Sequence, residues 1–183
     1  MTLSDVVDAI ARRRPMSSTQ TFVVAIDGGG GAGKSTFADA LAERLDAAPV
    51  VRTDDFATWD NPLGWAPRFA SLVLQPASRG DTLHYRRSDW ETRALGAWVH
   101  VAPHRYLVIE GVGSTQLSFA PLISYSMWID TPREVRLRRG LERDGSHMSD
   151  QWTQWMAEED HYFALEDPQR RADAVVSGDD RWM

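Results

Sequence analysis

Short apolar runs bounded by turn residues recur along the chain, and stretches with helical periodicity separate them. Between the first two runs, Phe37, Leu41 and Leu45 recur every four residues and form one apolar stripe on a helix. Parallel strands need long crossover connections, which are usually helices. The pattern therefore predicts an α/β fold with a parallel sheet, whose strands are Thr21–Ile26, Pro49–Arg52, Tyr106–Ile109, Tyr125–Ile129 and Ala174–Val176.

Helical spacing also marks the N-terminus. Leu3, Val6 and Ile10 recur at intervals that place them on one face of a helix. We therefore predict an N-terminal helix within residues 1–15, which ends at Pro15 because proline cannot continue a helix.

The rest of the chain shows two further helices and one irregular segment. Helical patterns cover residues 134–144 and 151–165. Residues 62–80 are rich in Pro, Gly and aromatic side chains, and we expect them to form a long irregular insertion. No repeat or linker interrupts the chain, so we expect a single domain over residues 1–183.

Composition narrows the class of protein. Of the 183 residues, 20 are Lys or Arg and 26 are Asp or Glu, and the formal net charge of −6 argues against broad nucleic-acid binding. No run approaches the roughly 18 apolar residues of a membrane span, and the N-terminus has no signal-peptide core. The absence of Cys excludes disulfides, thiolate catalysis and cysteine-ligated metals. We therefore expect a soluble, cytoplasmic protein that binds neither nucleic acid nor membranes.

A glycine-rich segment after the first predicted strand matches the phosphate-loop pattern G-x-x-x-x-G-K-[ST]. Glycines let the backbone curl so that successive N–H groups point at phosphate oxygens, and the following helix adds the positive end of its dipole. Lys34 would reach the β- and γ-phosphates, and the Ser35 hydroxyl would ligate Mg²⁺. We predict a site for ATP and Mg²⁺ formed by Gly28, Gly29, Gly30, Gly31, Ala32, Gly33, Lys34, Ser35 and Thr36.

Carboxylates follow two other predicted strands at their carboxyl ends, where open α/β sheets bind ligands. Asp54 and Asp55 come after the second strand, and Glu110 comes after the third. A carboxylate beside a phosphate loop can accept the proton of an attacking hydroxyl, and Mg²⁺ is usually held by few carboxylates. On the residues alone, a turn-capping role for either aspartate and a solvated strand-end role for Glu110 stay open.

Four motifs in this order resemble the uridine kinase-like branch of the P-loop kinases, which includes uridine, nicotinamide riboside and pantothenate kinases. They are the phosphate loop, Asp54-Asp55-Phe56, Glu110-Gly111 and the arginine-rich segment Arg136 to Asp144. The resemblance implies a P-loop NTPase fold with a five-stranded parallel sheet in the order 2-3-1-4-5 and helices on both faces. It also implies an arginine-rich lid, which we expect within residues 133–150.

The resemblance further assigns roles to the carboxylates. It implies that Asp54 is the catalytic base and that Asp55 lies on the metal side or caps the loop. It also implies that Glu110 contacts Mg²⁺ directly or through water.

The same resemblance distinguishes among the lid arginines. Arg139 and Arg143 fit the lid pattern Arg-x-x-x-Arg-Asp and are expected to contact the transferring phosphate. Arg136 and Arg138 are expected to solvate the helix, and Gly140 to give it hinge freedom. An exposed basic helix face without a catalytic role is the alternative for the whole segment.

The acceptor is expected within residues 53–100, between the second and third parallel strands. The residues expected to contact it are Asp54, Phe56, Tyr85, Arg86, Asp89 and Trp90, a polar and aromatic group similar to one that the kinase relatives use. Trp59 and Trp65 offer further stacking surface for a planar ring.

The favoured hypothesis is phosphoryl transfer from MgATP to a hydroxyl of a small molecule, a nucleoside or riboside. A nucleoside-monophosphate kinase is the first alternative, because Ile26-Asp27-Gly28 before the loop also resembles the opening of cytidylate kinases. A nucleotide-binding protein without catalysis is the second. The expected partner is the small-molecule acceptor, and a homo-oligomer through exposed tryptophans stays open.

Overall fold

The computed structural model describes residues 1–13, 19–59, 61, 63–90, 92 and 94–179. Its strands are β1 (Phe22–Asp27), β2 (Val50–Arg52), β3 (Leu83–Ser88), β4 (Leu95–Val101), β5 (Tyr106–Glu110), β6 (Tyr125–Asp130) and β7 (Ala174–Ser177). Its α-helices are α1 (Leu3–Arg12), α2 (Lys34–Arg44), α3 (Ala66–Phe69), α4 (Gln75–Arg79), α5 (Arg133–Asp144), α6 (Ser149–Glu166) and α7 (Pro168–Arg171).

Five strands form a parallel sheet in the order β2-β5-β1-β6-β7. The remaining two, β3 and β4, pair with each other as an antiparallel hairpin. Counted without the hairpin, the order of the parallel strands is 2-3-1-4-5, as the resemblance implies. The predicted α/β class is thus confirmed, and each of the five predicted strands overlaps an observed one.

The central strand β1 shows why the sheet is covered on both faces. All six of its residues are buried. Val24 and Ile26 pack in the cluster that contains α1 and α2, whereas Val23 and Ala25 pack in the cluster that contains α3 and α6. Successive side chains of a strand point to opposite faces, so a strand buried on both faces is a continuous apolar run.

The N-terminal helix α1 begins with a capping box. The Thr2 side chain accepts a hydrogen bond from the backbone N–H of Asp5, and the Asp5 carboxylate accepts one from the N–H of Thr2. Val6 and Ile10 are buried, as the helical spacing predicts. The helix ends at Arg12, before Pro15, which itself lies outside the described residues.

The prediction of an irregular insertion over residues 62–80 is wrong in its main part. Residues 66–79 form a continuous helical run, α3 and α4 joined by the π-helical turn Ala70–Leu74. Pro67 does not break the run, because it lies in the first turn of α3, where a backbone N–H is not needed, and Pro76 lies inside the run after the π-helical residues. In the π-helical turn Ala70–Leu74, which ends two residues before Pro76, the backbone hydrogen bonds join residues five positions apart instead of four.

The hairpin β3–β4 was not predicted. Its inward residues Leu83 and Tyr85 are buried in the second core cluster, while His84 between them is exposed. The alternating pattern of apolar and polar residues in these two strands is short, so the sequence alone does not show them as strands. The hairpin lies beside the short 3₁₀ turn Thr53–Asp55, which follows β2.

The candidate site lies where the carboxyl ends of β1, β2 and β5 meet. The phosphate loop follows β1, the turn with Asp54 follows β2, and Glu110 ends β5. Within the described ranges, no helix is long and apolar enough to span a bilayer.

Candidate active site

The phosphate loop forms the base of a cavity of about 620 Å³. Gly31 and Gly33 have positive φ angles of 76° and 100°, which side-chain-bearing residues rarely adopt. The helix α2 begins directly afterwards at Lys34, so its positive end faces the cavity. The Lys34 ammonium group is buried and donates a hydrogen bond of 2.9 Å to the carbonyl oxygen of Gly29.

The cavity contains most of the predicted nucleotide site. All the loop residues from Gly30 to Thr36 line it, together with Asp54, Trp90, Glu110, Arg139 and Arg143. Trp59, expected as stacking surface, also lines it. So do residues not predicted as site residues: Val112, Gly140, Asp144, Met148, Trp152 and Trp155.

Ser35 and Glu110 form a pair of oxygen ligands beside Lys34. The Ser35 hydroxyl donates a hydrogen bond of 2.9 Å to Glu110 Oε1, and Arg52 Nε lies 3.2 Å from the same oxygen. Burial raises the pKa of Glu110, and the charge of Lys34 opposes that effect. A hydroxyl and a single carboxylate in contact are hard oxygen donors of the kind that Mg²⁺ prefers, so these two residues fit a magnesium ion.

Asp54 lies at the edge of the cavity with a free carboxylate. Its side chain is exposed and has no hydrogen-bond or ion-pair partner among the described residues. Its backbone carbonyl accepts a hydrogen bond of 3.1 Å from Trp90 Nε1, which fixes the turn and places the indole ring beside it. The carboxylate is therefore available to a ligand in the cavity.

Asp55 faces the other way. Its carboxylate accepts a hydrogen bond of 2.9 Å from Tyr85 Oη and lies 3.3 Å from Arg87 Nε, and burial raises the pKa of Asp55. The side chain does not line the cavity that contains Ser35 and Glu110. The metal-side placement expected for Asp55 is therefore not what the structure shows, because successive side chains of a 3₁₀ turn point in different directions.

Of the remaining residues expected to contact the acceptor, one lines the cavity and others are buried in the core. Trp90 lines the cavity. Phe56 and Tyr85 are buried in the core, where their ring centroids are 4.8 Å apart, and Trp65 is buried with them. These three rings pack against other core residues, so they offer no stacking surface to a ligand in the cavity.

Arg86 and Asp89 also lie outside the cavity lining. Arg86 donates hydrogen bonds to the backbone carbonyls of Leu95 and Gly96 across the hairpin. Asp89 accepts a hydrogen bond of 2.8 Å from the backbone N–H of Thr92. Both side chains therefore stabilise the hairpin, whereas the sequence analysis expected them to contact the acceptor.

The predicted lid packs over the phosphate loop. Arg139 donates to the carbonyl oxygen of Gly178 at 3.2 Å and to Asp179 Oδ1 at 3.0 Å. Arg143 makes two hydrogen bonds of 2.7 and 2.9 Å to its neighbour Asp144. Both guanidinium groups line the cavity, and both are held by carboxylates at its rim.

Two other lid residues differ from expectation. Arg136, expected to solvate the helix, is buried and pairs with Glu159 at 2.8 Å. Gly140, expected as a hinge, lies against Trp152: a Cβ atom there would be 2.3 Å from the ring carbon Cζ2. Gly140 therefore permits close packing of α5 on α6. Arg138 is exposed, as expected.

Sequence reasoning missed the contribution of α6. Trp152, Trp155 and Glu159 lie on one face of this helix and are all buried. The spacing i, i+3, i+7 is the signal that would have found them, although it is equally typical of an ordinary core face. Only the packing of α6 against the phosphate loop makes this face part of the site.

Comparison with known proteins gives distant relatives. No protein-family profile matches the chain. A uridine kinase from Borrelia hermsii is 23% identical over 139 residues, which are 68% of this chain and 68% of that protein. A uridine kinase from Borrelia turicatae is 22% identical over the same length.

Solved structures are similar over nearly the whole chain. A possible uridine kinase from Bacillus stearothermophilus gives a TM-score of 0.71 at 19% identity, covering 95% of this chain and 96% of that one. A candidate fructose transport system kinase from Silicibacter sp. TM1040 gives 0.69 at 21% identity, covering 96% and 99%. The fold is thus that of these kinases. With the curated relatives, it supports the resemblance to uridine kinase-like P-loop kinases and a small-molecule kinase as the enzyme class.

Proposed function

We propose that the protein transfers the γ-phosphoryl group of MgATP to a hydroxyl of a small molecule, a nucleoside or riboside. The observation that carries the proposal is the carboxylate of Asp54, which has no partner among the described residues and lies in the same cavity as Lys34 and Ser35. A phosphate loop alone would bind nucleotide, but transfer to a hydroxyl also needs a base beside the γ-phosphate position.

The chain's own residues account for the steps of the reaction. Asp54 accepts the proton of the acceptor hydroxyl, whose oxygen forms the new bond to the γ-phosphorus while the bond to the β–γ bridging oxygen breaks and ADP leaves. Lys34 stabilises charge on the β- and γ-phosphates, and Arg139 and Arg143 supply positive charge from the lid. Ser35 and Glu110 would hold Mg²⁺, which when bound neutralises charge on the phosphates.

The arginines favour a hydroxyl acceptor over a phosphate acceptor. A nucleoside monophosphate would need guanidinium groups on the acceptor side of the cavity. In the described part of the chain, the cavity-lining arginines are Arg139 and Arg143, both on the lid helix α5. The nearby Arg86 and Arg87 are bonded to hairpin carbonyls and to Asp55. A nucleoside-monophosphate kinase is therefore the weaker candidate.

Three tryptophans support a flat acceptor. Trp59, Trp90 and Trp155 contact one another with ring centroids 5.3 to 5.8 Å apart and form an aromatic wall of the cavity beside Asp54. The indole N–H groups of Trp90 and Trp155 already donate to Asp54 O and Glu159 Oε1. The wall therefore offers ring faces, which stack on a planar base more favourably than on a flexible alcohol.

The test is the substitution Asp54→Asn, with Asp81→Asn as a matched control on an exposed aspartate that pairs with Arg79. ADP release would be measured against a panel of nucleosides, ribosides, pantothenate-like alcohols and sugars. We expect Asp54→Asn to lower kcat by roughly 10²- to 10⁴-fold, the usual contribution of a general base, while the Kd for MgATP stays within about twofold.

Other outcomes separate the alternatives. Wild-type turnover in Asp54→Asn would refute its assignment as base. Tight MgATP binding without transfer to any acceptor would favour a non-catalytic nucleotide-binding protein. Transfer to sugars alone would move the acceptor class away from nucleosides and ribosides while leaving the kinase reaction in place.

A further inference from the structure

The carboxylate of Glu159 contacts the phosphate loop from outside the cavity. This residue of α6 is only 1% exposed. Its Oε1 accepts hydrogen bonds of 2.6 Å from the backbone N–H of Gly30 and from Trp155 Nε1. Its Oε2 accepts one of 2.8 Å from Arg136 Nη1, on α5. One buried side chain therefore joins the loop to both helices that cover it.

The contact divides the N–H groups of the loop into two sets. The Gly30 N–H points outward to Glu159, and the Ala32 N–H closes a turn on the carbonyl oxygen of Gly29. Among the described residues, no acceptor contacts the N–H groups of Gly31 and Gly33, which belong to the cavity-lining stretch. The outward bond thus fixes the loop without consuming a donor that a phosphate could use.

The glycine run is needed for this packing. A Cβ atom on Gly29 would lie 1.7 Å from Arg136 Nη1, and one on Gly31 would lie 2.4 Å from the Arg136 carbonyl oxygen. Side chains at these positions would push α5 away from the loop. Such close approach shows that the loop and the Arg136–Glu159 ion pair are one packed unit.

We propose that Glu159, neutralised by Arg136, is a positioning residue that holds the phosphate loop in its nucleotide-binding conformation through the Gly30 N–H. The inference rests on the proposed function, because it assumes that the loop binds a nucleotide. The physical reason is that a partly buried N–H without an acceptor costs free energy, so losing the carboxylate favours loop conformations in which the Gly30 N–H turns elsewhere.

The experiment compares two double variants that both remove the buried charges. Arg136→Met with Glu159→Gln keeps an amide oxygen that can accept from Gly30, whereas Arg136→Met with Glu159→Leu removes every acceptor. Replacing a complete buried ion pair by neutral groups usually preserves folding, whereas removing one partner leaves an uncompensated charge. Asp160→Asn is the control, because it breaks the exposed Arg133–Asp160 pair between the same two helices away from the loop.

We expect the Kd of the Gln double variant for MgATP to stay within about threefold of the wild-type value. The Leu double variant should bind MgATP at least about tenfold more weakly than the Gln double variant, which corresponds to about 1.4 kcal/mol in binding free energy. Their KM values for the acceptor should agree within about twofold. Asp160→Asn should leave both quantities unchanged. A purely structural role would alter the thermal stability of the variants without separating their nucleotide affinities.

Two results would overturn the inference, and they are distinguishable. Equal MgATP affinity in the two double variants would show that the Gly30 contact does not position the loop, while leaving the proposed kinase reaction intact. Absence of MgATP binding by the wild-type protein would refute the proposed function and the inference together. Nucleotide binding is measured by calorimetry with MgATP alone, so the result does not depend on knowing the acceptor.

Discussion

Asp27, the last residue of β1, directly precedes the phosphate loop and accepts five hydrogen bonds from described residues, and its substitution by Asn tests how the fold holds that loop. It is fully buried. Oδ1 accepts from the N–H groups of Gly28 (2.7 Å) and Gly113 (3.0 Å). Oδ2 accepts from the Thr115 N–H (3.0 Å), the Thr115 hydroxyl (2.7 Å) and the Tyr162 hydroxyl (2.8 Å). Burial raises the pKa of Tyr162, which keeps its hydroxyl a donor.

The cost of Asp27→Asn follows from these partners. The least damaging orientation places the amide nitrogen where Oδ2 was, because the Thr115 and Tyr162 hydroxyls can rotate and accept from it. The Thr115 backbone N–H cannot rotate, so it loses its acceptor outright, whereas the two hydroxyls keep the amide as a partner by accepting from it. One buried, unsatisfied donor costs about 1–3 kcal/mol in the free energy of unfolding. For a chain of this length, that corresponds to a fall in Tm of roughly 2 to 12 °C.

Urea unfolding followed by tryptophan fluorescence would measure the effect. Asp130→Asn is the matched control, because Asp130 ends the neighbouring strand β6 but is exposed. Its free energy of unfolding should change by no more than about 0.5 kcal/mol. A loss below about 0.5 kcal/mol in Asp27→Asn, with an unchanged m-value, would refute the reasoning that the donors around this carboxylate are fixed.

Two further predictions concern the lid. Gly140→Ala should lower the free energy of unfolding by about 1–3 kcal/mol, because the new Cβ would overlap the rigid ring of Trp152 and force α5 from α6. Gly96→Ala, where the nearest atom is 3.6 Å away, is the control, and equal stability of both variants would contradict the packing argument. Asp144 should stabilise the fold above its usual pKa of 3.8, because its hydrogen bond from Arg143 lowers the pKa in the folded state. This contribution is lost as the pH falls through the folded pKa of Asp144. In urea unfolding, the difference in free energy of unfolding between wild type and Asp144→Asn should therefore shrink below about pH 4. A difference that does not change with pH would contradict this prediction.

The sequence by itself determined the local features of this protein. The apolar runs identified all five parallel strands, and the runs are clearest in β1 and β5, which are buried on both faces. The pattern of the phosphate loop placed Lys34 and Ser35 at the start of a helix, as the structure has them. The resemblance supplied the strand order, which periodicity cannot give.

Only the tertiary structure decided which side chains share the cavity. Asp54 and Asp55 are neighbours in sequence, yet one faces the cavity and the other faces Tyr85, because successive side chains of a 3₁₀ turn point about 120° apart. Arg136 and Glu159 lie 23 positions apart, and their pairing depends on how α5 packs on α6. Strands and phosphate loops are local patterns, whereas the burial and pairing of charges depend on contacts between segments that are distant in the sequence.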